Sequence, residues 1–68
     1  MLKAAWNGNK ATWQQGKTIE VYDMASGWGA RLSEDSTPIQ RAFPYLSRQD
    51  AMYAAERIAQ ENWGGPAP

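Results

Sequence analysis

Ser47-Arg48-Gln49-Asp50-Ala51-Met52-Tyr53-Ala54-Ala55-Glu56-Arg57-Ile58-Ala59-Gln60-Glu61-Asn62-Trp63-Gly64 decides the fold, because this one long stretch carries a helix start, a helix face and a helix stop. The Ser47 hydroxyl can accept from a free N–H of the first turn, and Asp50 three residues on has the capping-box spacing. At about 100° per residue, Ala51, Met52, Ala55, Ile58 and Ala59 fall on one side and Tyr53, Glu56, Arg57 and Gln60 opposite, the pattern of a surface helix packed on a support. Gly64 and Gly65 supply the stop, and Pro66 prevents resumption. Three of the five inward positions are Ala, so the helix axis must lie close to its support. The bulk of the core then has to come from the rest of the chain.

Upstream, Thr18-Ile19-Glu20-Val21-Tyr22-Asp23-Met24 is the richest β-branched and aromatic stretch and reads as a strand with Ile19 and Val21 on one face. Ala25-Ser26-Gly27 reads as a three-residue connection to Trp28-Gly29-Ala30-Arg31-Leu32-Ser33, whose apolar face is Trp28, Ala30 and Leu32. After the polar loop 34–38 comes a short strand, Ile39-Gln40-Arg41-Ala42-Phe43, closed by Pro44. Leu46 stands where a hydrophobic staple would contact Ala51. Nearer the start, Leu2–Trp6 and Lys10–Gln14 flank Asn7-Gly8, the dipeptide preferred in type I′ hairpin turns. The expected fold is therefore α+β: an antiparallel meander of three strands, extended to five where the N-terminal hairpin joins, with the C-terminal helix across one face. Residues 1–64 form the single domain and 65–68 a disordered tail. Phe43, Trp28, Leu32, Ile19 and Val21, joined by Leu2, Trp6 and Trp13, are the expected core, with Trp63 as a lid at its edge.

Composition narrows the function classes. The 68-residue chain has no Cys and no His, which excludes a disulfide framework, a thiolate nucleophile, an ordinary zinc site and a His general base. Asp23, Glu34 and Asp35 sit in loops or at strand ends, so neither a metal cage nor an acid/base pair is specified. The expectation is a protein that is not an enzyme and needs no cofactor. Folding removes only about 60% of the unfolded chain's surface at this size; four Trp, three Tyr and one Phe must supply the core. The first residues lack the apolar core of a signal peptide and no apolar run reaches a membrane span, so a cytoplasmic, soluble protein is expected. Seven basic and seven acidic residues cancel, which disfavours nucleic acid as a partner unless a local patch supplies the charge.

Gly27-Trp28-Gly29-Ala30-Arg31-Leu32, a polar loop, Arg41-Ala42-Phe43, then Ser47 and Asp50-Ala51 opening an Ala-rich helix together resemble two related modules over residues 18–62. These are the arm-type DNA-binding domain of tyrosine integrases and the ethylene-response-factor type domain. The resemblance implies a sheet face that reads DNA, with Arg31, Gln40 and Arg41 as the contacting residues. In outline, the size and the meander-plus-helix layout are also similar to small phage proteins such as anti-CRISPR inhibitors. That likeness implies a phage- or mobile-element-encoded protein that docks on a larger host or phage protein.

The sheet face away from the helix carries Glu20, Tyr22, Met24, Arg31, Ser33, Gln40 and Ala42 on simple alternation. Tyr, Met and Arg belong to the residue types enriched at protein interfaces. Tyr22, Met24 and Arg31, with Tyr53 on the outer helix surface, are the residues expected to bind a partner, the protein acting as an adaptor or inhibitor. DNA binding is the alternative. Pro38 and Pro44 bracket the last strand and blunt its edge, which favours a monomer over a homodimer.

Overall fold

The computed structural model describes residues 1–66. Four strands, β1 (Lys10–Gln14), β2 (Lys17–Met24), β3 (Gly27–Glu34) and β4 (Thr37–Tyr45), precede one helix, α1 (Arg48–Trp63). The strands form one antiparallel sheet in the order β1-β2-β3-β4, so β1 and β4 are its edges. The architecture is α+β as expected, with four strands where three or five were expected. No helix among the described residues is long and apolar enough to cross a membrane.

The central pair follows the alternation read from sequence. Ile19 opposes Leu32 and Val21 opposes Ala30, and all four side chains are buried beneath α1. Burying each of Ile19, Leu32 and Val21 contributes about 1.5 to 3 kcal/mol. From the helix, Ala51, Met52, Ala55, Ile58 and Ala59 are buried against this face, and the small Ala side chains let the axis approach the sheet. Ser47 caps the helix by accepting from the Asp50 N–H at 3.1 Å. At the other end the Gly64 N–H donates to Gln60 O at 2.9 Å. Trp13 is buried in the same core and its indole N–H donates to Gly64 O at 2.8 Å, tying β1 to the helix C-terminus. Trp63 packs on the edge of the core and directs its indole N–H to Glu34. Gln14 Nε2 holds the Gly65 carbonyl at 2.9 Å; of the tail 65–68, Ala67 and Pro68 lie outside the described residues.

Several expectations are overturned. Leu2–Trp6 is not a strand. Its backbone donors go instead to a helix side chain: Lys3 N–H and Ala4 N–H donate to Glu56 Oε1 and Oε2 at 2.7 and 2.9 Å, and the Trp6 indole joins Oε2 at 2.9 Å. Glu56, expected on the exposed face, is therefore only 5% exposed, because this segment covers that flank of α1. The turn after Trp6 is displaced by one residue, a single bridge Asn7↔Lys10 closing a Gly8-Asn9 loop with φ +65° at Gly8, the type II′ pattern. Between β2 and β3 the loop is two residues, Ala25-Ser26, because Gly27 already pairs with Met24.

The largest correction concerns β4. It continues through Pro44, with a cis Phe43–Pro44 bond, to Tyr45. A register shift opposite Gly29 accommodates the proline, as expected for proline on an edge strand at a bulge. Pairing of Ala42 with Ala30 and Gln40 with Leu32 turns those two to the helix side of the sheet, Ala42 half-buried and Gln40 at its exposed rim, so Gln40 and Ala42 are not on the outer face. Phe43 is turned outward and is 58% exposed; Tyr45 and Ala42 take the inward positions and pack on the core. Leu46 is 96% exposed, so no staple on Ala51 forms.

Candidate protein-binding face

The outer face of the sheet is built from β2 and β3 outward. Tyr22 pairs across the strands with Gly29, and its ring lies where a side chain at residue 29 would be: a Cβ there would sit 2.5 Å from Tyr22 Cζ. Glycine is thus required for this close approach, and the aromatic ring covers the bare backbone. Next along the strands, Arg31 opposes Glu20. Its Nε donates to Glu20 Oε1 at 2.7 Å and its Nη2 donates to the same oxygen. The Arg31 guanidinium carbon also lies 5.7 Å from the Tyr22 ring centroid, within the range of a cation–π contact. Glu20, Arg31 and Tyr22 therefore hold one another in place. Beside them a shallow polar depression is lined by Lys10, Thr18, Glu20, Arg31, Ser33 and Pro38.

Arg41 stands directly opposite Arg31 on β4. Phe43 and Ile39 lie two residues to either side of it, each at a register shift and without a partner on β3, and both are exposed. Met24 is half-buried at the hairpin end of β2. Tyr22, Met24 and Arg31 thus share one face, as alternation predicts. Tyr53 does not join them. It lies on the helix surface turned away from the sheet, lining a groove with Met1, Lys3 and Arg57. Of the residues that the DNA-binding resemblance implies, Arg31 and Arg41 meet on the outer face, while Gln40 lies on the helix side and accepts from Asn62 Nδ2 at 3.0 Å.

Ile39 and Phe43 are the members of this face that sequence reasoning assigns elsewhere. The available signal is Pro44: the extra residue at the register shift opposite Gly29 breaks the alternation, so Ala42 and Tyr45 face the core while Phe43 between them is exposed. Among the described residues no group of three or more acidic side chains is placed to hold a metal ion. Comparison of the chain with protein-family models, with curated proteins and with solved structures finds no match.

Proposed function

We propose that the protein is a non-catalytic binding module, an adaptor or inhibitor, that acts by docking the outer face of its sheet on a larger protein. The observation that carries this reading is the sharing of one uncovered sheet face by Tyr22, Arg31, Arg41 and the exposed Ile39 and Phe43. Aromatic residues and Arg dominate binding energy at interfaces because they combine large contact area with well-directed donors. Two of them are already ordered: Tyr22 rests on Gly29 and Arg31 is held by Glu20, so less side-chain freedom is lost on binding.

The DNA-reading alternative is supported by the Arg31–Arg41 pair. It is opposed by the Glu20 carboxylate that occupies Arg31 and by a net charge of zero, since phosphate binding requires several unpaired cations. Capture from host lysate by the wild type and by a Tyr22→Ala, Arg31→Ala double variant tests the docking face. Loss of the captured protein in the variant is expected, and equal capture by both would remove this face from consideration. An anisotropy titration with random duplex DNA at low salt runs beside it. Binding that is lost on raising the salt would favour the alternative.

A further inference from the structure

We propose that the proline-free stretch Ile39–Phe43 of β4 accepts an extended acidic segment of a partner protein as an added strand, with a partner carboxylate seated against Arg41. The inference rests on the docking reading above and names the chemistry of the partner. β4 is an edge of the sheet and the longest strand, nine residues, and an edge strand leaves alternate N–H and C=O groups free to pair with another chain. Pro38 and Pro44 carry no N–H, so they limit a full ladder to the five residues between them. β1, the other edge, has five residues and runs straight into the Gly8-Asn9 turn, where Asn9 O continues the ladder by accepting from Val21 N–H at 2.8 Å.

Charge selects the occupant. Arg31 and Arg41 are directly opposed across β3 and β4, an arrangement that is unfavourable for like charges. Glu20, opposite Arg31 on β2, is engaged through a single oxygen by both Arg31 nitrogens. Among the described residues Arg41 makes no ion pair. Lys10, Glu20, Arg31 and Asp35 line one depression, but neither acid pairs with Arg41, which lacks a carboxylate partner among the described residues. Ile39 and Phe43 flank Arg41 on the same face and are 47% and 58% exposed. A strand laid beside β4 meets this face with every second side chain, which defines the ligand pattern as apolar, any, acidic, any, apolar. A second copy of this chain is a poor occupant, because antiparallel self-pairing of this stretch, Ile-Gln-Arg-Ala-Phe, sets a second Arg41 against the patch and contains no acid.

The test uses the full chain and two capped peptides, Ser-Val-Thr-Glu-Thr-Val-Ser and its Glu-to-Lys counterpart, followed by amide NMR. The acidic peptide is expected to shift and protect the amides of residues 39–43 and to bind at least about tenfold more tightly than the basic one, a difference of about 1.4 kcal/mol. Arg41→Glu, a change at an exposed position, is expected to reverse that preference while leaving the rest of the spectrum unchanged. Equal binding of the two peptides, shifts that map to Lys10–Gln14, or a dimer formed without peptide through the same amides would each overturn the proposal. If the Tyr22→Ala, Arg31→Ala variant loses its captured protein while neither peptide touches β4, the strand-addition inference falls alone. Equal capture by that variant is the separate failure of the docking face.

Discussion

The carboxylate of Glu56, at the middle of α1, accepts the indole N–H of Trp6 at 2.9 Å, fifty residues away in sequence. The same carboxylate takes the backbone N–H groups of Lys3 and Ala4. One helix side chain thus does for the N-terminal segment what a neighbouring strand would otherwise do. It satisfies the segment's donors and holds Leu2 and Trp6 against the core formed by Val21, Ala51 and Met52.

Glu56→Ala removes an acceptor shared by three donors and leaves them without partners unless the segment lifts away. Charge-assisted hydrogen bonds of this kind make the expected cost about 2 to 3 kcal/mol, a fall in Tm of roughly 10 to 20 °C for a domain of this size. Hydrogen exchange at the Lys3 and Ala4 amides should rise to the rate of an open chain, while the amides of β2 and β3 keep their relative protection. Trp6→Phe keeps the ring and deletes one donor, so about 1 kcal/mol is expected. An unchanged Tm in Glu56→Ala would show that the cradle contributes nothing to stability.

Gly29 and Tyr22 make a coupled pair. Gly29→Ala drives a methyl group into the Tyr22 ring and should cost about 1 to 3 kcal/mol through overpacking. In a Tyr22→Ala background the obstruction is gone, and the same change should be neutral or stabilising by about 0.5 kcal/mol, because Ala loses less backbone freedom than Gly in a strand. A double-mutant cycle by chemical denaturation measures the difference. Additive effects in the cycle would mean that the ring does not rest on residue 29 in solution.

The elements legible in the sequence are those whose signals are local. Ser47 and Gly64 mark the ends of α1 by chemistry confined to one turn, and Ile19, Val21, Ala30 and Leu32 keep strict alternation, so the faces of β2 and β3, and with them Tyr22 and Arg31, follow directly. β4 is read on the wrong face because its period slips at two register shifts, beside Pro38 and Pro44, where alternation no longer counts residues one for one. That error puts Phe43 in the expected core and Gln40 on the expected outer face, whereas Phe43 is exposed and Gln40 lies at the exposed rim of the helix side. Leu2–Trp6 alternates like a strand, yet its donors pair with Glu56 on a helix, and no local pattern encodes a contact fifty residues distant. The same contact makes a charged residue on an apparently polar helix face a buried one.

Ala55 is fully buried and packs in one cluster with Ile19, Leu32 and Ile58. Ala55→Leu must push the helix away or force strained rotamers on Ile19 and Leu32, at an expected cost of about 1 to 3 kcal/mol. Ala55→Gly, which removes bulk and adds backbone freedom, should also destabilise, by about 1 kcal/mol. Loss in both directions identifies a filled site. A gain in Tm for Ala55→Leu would reveal unfilled space under the helix.

The β3–β4 hairpin turns through Asp35 and Ser36, with φ of +50° and +69°, while Glu34 and Thr37 close the ladder. Positive φ at both central residues is the type I′ geometry, whose right-handed twist matches that of the strands. Asp tolerates the left-handed region better than most residues, and the Asp35 N–H is held by Gly16 O at 2.7 Å. Ser36 carries a Cβ in a conformation that costs an L-residue about 1 to 2 kcal/mol. Gly removes that strain and gives back roughly 0.5 to 1 kcal/mol through the freedom of its unfolded chain. Ser36→Gly is therefore expected to stabilise by about 0.5 to 1 kcal/mol, seen as a higher urea midpoint at constant slope. Ser36→Val, β-branched at the same φ, should move the midpoint the other way, by about 1 kcal/mol or more. The three proteins order as Gly above Ser above Val if backbone strain governs the site. An order that instead follows strand propensity, with Val highest, would mean that residue 36 lies in the extended region and that the turn is not type I′.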